Sequence, residues 1–98
     1  MFARVTVVEG SADKVDSGIE SFKTGVVPAI KGVDGYRGAL LLVNRSNGKG
    51  IGMTLWDTED ARARGAEAVE QARQATLEQM GGGAPPADEY EVGVIDMP

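Results

Sequence analysis

Apolar and polar positions in the first third of the chain predict a strand followed by a helix. Residues Phe2–Glu9 are rich in β-branched side chains and alternate loosely, which is typical of a strand. Gly10 interrupts this pattern, and the Ser11 hydroxyl is placed to cap the element that follows. Apolar residues then recur every three or four positions, which predicts one face of an amphipathic helix. Pro28 is expected to kink or end this helix. That face comprises Val15, Ile19, Phe22, Val26 and Ile30.

The middle of the chain predicts a β-hairpin. After a turn at residues 32–35, Tyr36–Asn44 reads as a second strand, and a third strand runs from about Lys49 to Trp56. Ser46-Asn47-Gly48 joins them, because Asn-Gly tolerates the positive φ angles of tight hairpin turns. The second strand is apolar at every position from Ala39 to Val43, whereas a strand covered on one side only alternates with polar residues. We therefore expect helices to cover one face and a second copy of the chain to cover the other.

A second helix and a last strand complete the predicted order. Asp57 or Thr58 caps a helix that is expected to run to about Met80, with small residues on its buried side. Glycines 81–83 end this helix, a proline-containing loop follows at residues 84–87, and Tyr90–Ile95 forms the last strand. The order strand, helix, strand, strand, helix, strand predicts a ferredoxin-like βαββαβ fold of the α+β class. Its four-stranded antiparallel sheet carries both helices on one face, within a single domain over residues 1–98.

Composition and charge exclude several kinds of catalytic site and of binding partner. The chain has no cysteine and no histidine, which excludes disulfides and thiol catalysis and removes the usual general base and haem ligand. A net charge of -5 argues against nucleic acid or an anionic membrane as the main partner. The sequence predicts no targeting signal, membrane span, metal site or cofactor, and a cytoplasmic location is expected. The glycine-rich run at residues 48–52 lacks the helix that a phosphate-binding loop requires.

Two short motifs carry a family resemblance. They are Gly35–Leu41 at the start of the second strand and Leu55–Ala61 between the third strand and the second helix. Through them, and through its order of elements, the chain resembles the antibiotic biosynthesis monooxygenase family of dimeric α/β barrels over essentially its whole length. The resemblance implies a small cytoplasmic homodimer joined through its sheet faces. Some members oxygenate polycyclic aromatic or quinol-type substrates without a cofactor, and others bind and degrade haem.

The family's functional residues match this sequence at one position. For the haem-degrading members, the resemblance puts the asparagine near Ala3, the tryptophan near Gly65 and the histidine near Gln74 or Ala75, so haem degradation is not expected. For the cofactor-free oxygenases Trp56 matches, whereas the asparagine and the tyrosine fall at Gly52 and Arg62. The predicted function is cofactor-independent monooxygenation of a flat aromatic or quinol-type small molecule. The alternative is a non-catalytic dimeric α/β barrel that binds a small ligand or acts as a scaffold.

Five residues are candidate ligand contacts, and no catalytic residue is assigned. Trp56 either stacks on a flat ligand or anchors strand to helix in the core, and the core role is favoured. An arginine within a strand either stabilises an anionic oxygen of the substrate or pairs at the surface with Glu9 or Asp60. A tyrosine such as Tyr90 either protonates a peroxy intermediate or packs at a strand end, and an asparagine such as Asn47 either supplies the missing amide or forms the turn. The candidates are Trp56, Arg37, Tyr36, Arg4 and Asn44.

Overall fold

The computed structural model describes residues 1–70 and 87–98 of the chain. Within these residues an antiparallel sheet of four strands has the order β2-β3-β1-β4. Two helical regions, residues 12–30 and α3, pack on the same face of this sheet. The chain therefore has the predicted ferredoxin-like α+β fold. The strands and the last helix are β1 (Phe2–Glu9), β2 (Tyr36–Val43), β3 (Lys49–Trp56), β4 (Ala87–Glu91) and α3 (Glu59–Ala68).

The first helical region confirms the predicted helix but is not uniformly α-helical. A 3₁₀ turn (Ala12–Lys14) leads into α1 (Val15–Ser21), a π-helical turn (Phe22–Val26) and α2 (Val27–Ile30). Proline has no N–H to donate, and its ring collides with the carbonyl group four residues earlier. The wide turn that precedes Pro28 accommodates both effects, and the helix continues past the proline.

The predicted Ser11 cap is wrong in its chemistry. Ser11 precedes the first turn of the helical region, but its side chain makes no capping hydrogen bond. The Ser11 carbonyl oxygen instead accepts a hydrogen bond from the Lys14 N–H at 3.0 Å. Because a 3₁₀ turn pairs residues three apart, the backbone itself closes this end of the helix.

The hairpin between β2 and β3 is confirmed. Gly48 has a φ of 79°, which its lack of a side chain permits. Asn44 Oδ1 accepts a hydrogen bond from the Ser46 N–H at 3.0 Å, and Asn47 Oδ1 accepts one from the Lys49 N–H at 2.9 Å. Both asparagines thus serve the turn, as Asx side chains commonly do.

The last strand begins and ends earlier than predicted. The sequence predicts Tyr90–Ile95, whereas β4 spans Ala87–Glu91. Glu91 pairs with Phe2, the first residue of β1, so the ladder closes with the hydrogen bond from the Val92 N–H to the Met1 carbonyl. The alternating valines that follow lie beyond the end of this ladder. The predicted continuation of the second helix to Met80, and residues 81–86 after it, lie outside the described residues.

The core forms around the indole of Trp56. Only 1% of Trp56 is exposed, and its ring lies directly against Gly65 of α3, where a β-carbon would come within 2.1 Å of the indole. The Tyr36 ring packs edge-on against it, with the two ring centroids 5.8 Å apart. The small residues predicted on this helix therefore do bring it close to the sheet. The buried residues of the cluster are Val26, Ile30, Trp56, Ala61 and Val69.

The opposite face of the sheet is apolar and partly exposed. Leu42 is 53% exposed, Leu40 38% and Val7 36%. Strand register puts Ile51 opposite both Leu42 and Val7, so the apolar side chains of three strands share this face. We call Val7, Leu40, Leu42, Ile51 and Met53 the outer face.

We predict that Gly65→Ala lowers the free energy of unfolding by about 2 kcal/mol, because overpacking against the rigid indole outweighs the better helix propensity of alanine. Gly32→Ala is the matched control, since no atom lies within 4 Å of the added carbon. Urea unfolding followed by Trp56 fluorescence and circular dichroism measures both variants. A Gly65→Ala protein as stable as the wild type would contradict this packing.

Candidate functional site

Polar side chains face the helices from the two central strands. Arg4 lies opposite Thr54, and Thr6 lies opposite Gly52, so each pair points to one side of the sheet. That side is the helix face, because the indole N–H of Trp56 donates a hydrogen bond to Thr54 Oγ1 at 2.9 Å. All four residues of this central strip (Arg4, Thr6, Gly52 and Thr54) are only half-buried. The strip is therefore a polar surface accessible beside the core.

An aromatic side chain borders the central strip on the helix side. Phe22 opens the π-helical turn, and a β-carbon on Gly52 would lie 3.6 Å from its ring. π-Helical turns inside α-helices occur frequently at functional sites. The Phe22 ring therefore covers Gly52 at this end of the strip.

A cluster of two arginines and a glutamate lies at one end of the strip. Glu89 Oε2 is 3.4 Å from Arg4 Nη1 and 3.3 Å from Arg62 Nε. The Arg62 guanidinium lies over the Phe2 ring, 5.5 Å from its centroid, and its Nη1 donates to the Tyr90 carbonyl oxygen at 3.1 Å. We call Arg4, Arg62 and Glu89 the arginine cluster. Its three residues lie on β1, α3 and β4.

Two donors in the arginine cluster are not satisfied. The Nε atoms of Arg4 and Arg62 are buried and have no hydrogen-bond partner among the described residues. Glu89 Oε2 is close to Arg62 Nε, yet the two groups are not aligned for a hydrogen bond. A buried donor without a partner costs about 1–3 kcal/mol, more when it is charged. An additional hydrogen-bond acceptor would therefore stabilise the cluster.

Arg37 lies at the surface rather than in the strip. A β-bulge between Tyr36 and Gly38 leaves Arg37 without a partner on β3, and its Nε donates to Asp57 Oδ1 instead of pairing with Glu9 or Asp60. This hydrogen bond and the attraction of the two charges raise the pKa of Arg37. The same hydrogen bond lowers the pKa of Asp57, and desolvation opposes this effect.

The other four predicted contacts lie in the core, in the hairpin turn and in the central strip. Arg4 lies in the strip and pairs with Glu89, not with Glu9 or Asp60. Trp56 and Tyr36 pack against each other in the core. Asn44 lies in the hairpin turn, where its side chain accepts from Ser46. Of the five candidates, the structure brings Arg4, Trp56 and Tyr36 to the helix side of the sheet.

Arg62 and Glu89 of the cluster were not among the predicted contacts. Arg62 stands where the resembling oxygenases have a tyrosine. The resemblance therefore already marked position 62 as part of the family's site. Glu89 lies in an acidic stretch that has low β-propensity and falls before the predicted last strand. Only the pairing of Arg4 with Glu89 across β1 and β4 brings it to the site.

The described part of the chain has neither a cluster of acidic metal ligands nor a membrane-spanning helix. Residues 1–70 and 87–98 contain no group of three or more acidic side chains arranged to hold a metal ion. No helix in those ranges is long and apolar enough to cross a membrane.

Solved structures share this fold. A Streptomyces coelicolor monooxygenase from the gene ActVA-Orf6, solved with the ligand nanaomycin D, superimposes with a TM-score of 0.76 at 19% identity, over 99% of this chain and 91% of the other. A Deinococcus radiodurans protein named as an antibiotic biosynthesis monooxygenase superimposes with a TM-score of 0.75 at 21% identity, over 99% and 98% of the two chains. The fold is that of the antibiotic biosynthesis monooxygenases. At these identities the likeness concerns the fold alone.

Sequence comparisons add a relative without a known activity. No family model matches the chain. An uncharacterised Mycobacterium tuberculosis protein, Rv2557, is 34% identical over 95 residues, which are 97% of this chain and 42% of that protein. The chain thus spans about two fifths of the length of this curated relative.

We predict that Arg37→Gln raises the pKa of Asp57, because it removes the hydrogen bond and the charge that hold it down. The pair stabilises the folded state above the ordinary carboxyl pKa of roughly 4 and loses this effect as the pH falls through the lowered pKa of Asp57. The stability difference between wild type and variant should therefore shrink in acid. NMR titration of the Asp57 carboxyl carbon measures the shift, with Arg45→Gln as control. An unchanged Asp57 titration in Arg37→Gln would show that the pair does not form in solution.

Proposed function

We propose that this chain binds a flat aromatic or quinol-type small molecule beside the central strip and oxygenates it without a cofactor, as an antibiotic biosynthesis monooxygenase-type protein. The observation that carries the proposal is the arginine cluster on the helix side of the sheet, where Arg4 and Arg62 are largely buried and Arg62 lies over the Phe2 ring. The fold shared with the Streptomyces coelicolor monooxygenase supports it.

The proposed reaction needs no external reductant. In an anthrone-type substrate, the CH₂ group between two rings becomes a carbonyl group, and O₂ supplies one oxygen atom to carbon. The second oxygen atom leaves as water with the two hydrogens of the CH₂ group, so the substrate supplies all four electrons. Water or hydroxide from the solvent takes the first proton, and Arg4 stabilises the negative charge of the resulting enolate from the strip. Tyr36 lies on the same side of the sheet as Arg4, and its hydroxyl group is proposed to return a proton to the peroxy intermediate.

A non-catalytic dimeric α/β barrel is the second candidate, and the packing of Trp56 favours it. The indole is buried to 99% and its N–H is already bonded to Thr54, so it contributes to the core. Gly52 and Arg62 also stand where the resembling oxygenases have an asparagine and a tyrosine. In this case the strip would bind a small ligand without converting it, or the protein would serve as a scaffold.

We further propose a cytoplasmic homodimer in which a second copy covers the outer face. Half-exposed Leu42 and Leu40 lie among apolar neighbours on adjacent strands, and burying such a surface is favourable by about 25 cal/mol per Å².

Oxygen uptake tests the proposed activity. We expect the protein to accelerate O₂ consumption with anthrone or a polycyclic hydroquinone, and Arg4→Gln to lower the protein-dependent rate by about 100-fold, because an anion-stabilising donor is lost. Arg45→Gln is the matched control, since it removes an arginine from the exposed pair with Asp16. Uptake unchanged by added protein, together with measurable binding, would support the non-catalytic alternative instead.

Light scattering tests the homodimer. The wild-type protein is expected to have twice the mass of its 10.3 kDa chain at micromolar concentration. Leu42→Lys should shift it toward the monomer, because a charge cannot be buried unpaired in an apolar interface. Val94→Lys adds the same charge at a residue 87% exposed outside the strands and should leave the mass unchanged. A wild-type monomer would contradict the dimer.

A further inference from the structure

The arginine cluster has more positive charge than its contacts neutralise. The side chains of Arg4 and Arg62 are 21% and 12% exposed, whereas Glu89 is 47% exposed. Among the described residues, Glu89 is the carboxylate within ion-pair distance of either arginine. Largely buried cations are stable when they are paired and hydrogen-bonded. Here two of them share one oxygen of a solvent-accessible side chain.

The geometry of the cluster is also incomplete. Arginine binds carboxylates best through two parallel N–H donors at about 2.7–2.9 Å. Glu89 instead contacts both arginines with Oε2 alone, at 3.4 Å and 3.3 Å, and both buried Nε atoms remain without a hydrogen-bond partner among the described residues. Glu89 therefore acts as a weak, replaceable partner of the two guanidinium groups.

The surroundings of the cluster suit an aromatic ring. Phe2 lies beneath the Arg62 guanidinium, and Arg4 lies opposite Thr54 in the strip that continues to Gly52 under Phe22. Arginine and phenylalanine faces both stack on planar rings. A planar ligand along this strip would bring a group at its edge to the two arginines.

We propose that Arg4 and Arg62 bind a carboxylate on the aromatic ligand, and that this carboxylate displaces Glu89 into solvent. The inference rests on the proposed function, since it names the class of molecule for the same site: aromatic carboxylic acids. It predicts competition, because Glu89 occupies the position that the carboxylate of the ligand takes.

Isothermal titration calorimetry with a matched pair of probes tests the proposal. The probes are 9-anthracenecarboxylate and its neutral analogue 9-anthracenemethanol. We expect the acid to bind at least tenfold more tightly, Arg4→Gln to remove this preference, and Glu89→Gln to tighten the acid at least threefold without affecting the alcohol. Glu9→Gln removes the same charge five residues along β1, roughly 17 Å from Arg4, and should leave both affinities unchanged. Circular dichroism confirms that each variant is folded.

The outcomes separate this inference from the function on which it rests. Equal affinity for the two probes, or tighter binding of the alcohol, overturns the carboxylate site while leaving the aromatic site in place. Weaker binding of the acid by Glu89→Gln overturns the displacement of Glu89. Absence of binding by either probe overturns both the carboxylate site and the proposed aromatic ligand.

Discussion

The contact between the Trp56 indole and the backbone of Gly65 determines how the helices lie on the sheet. A side chain at position 65 would collide with the ring, so α3 approaches β3 as closely as a glycine allows. Removing a buried aromatic side chain of this size typically costs about 3–5 kcal/mol. In a chain of 98 residues, with the thin core that this length implies, one such contact is a large part of the total stability.

The same contact separates the core from the polar site. The indole N–H bonds to Thr54, and Thr54 lies opposite Arg4, so the polar strip begins where the buried cluster ends. The family resemblance of the sequence implies that the helix tryptophan of the haem-degrading members falls near Gly65. In this chain the Trp56 indole lies directly against Gly65, so a tryptophan side chain at that position has no room. The site proposed for this chain therefore relies on Arg4 of the strip and on Arg62 of α3.

The sequence predicts most of the fold because its periodicities are strong and local. The valines of β1, the Asn47-Gly48 turn and the apolar face of the first helical region each specify their element without long-range information. The last strand was misplaced because an acidic edge strand is defined by its partner, and Phe2 pairs with Glu91 rather than with the valines that follow. The arginine cluster was likewise incomplete, since Glu89 reaches Arg4 only through that pairing.

Binding beside Trp56 is the central claim, and the single tryptophan reports on it directly. Fluorescence titration with polycyclic quinols and quinones, corrected for inner-filter loss, should give saturable quenching at micromolar concentration that disappears when the protein is unfolded. Haemin serves as a comparison, because the chain has no histidine to ligate its iron. A folded protein whose Trp56 emission shows no saturable change with any of the quinols or quinones would contradict binding beside Trp56.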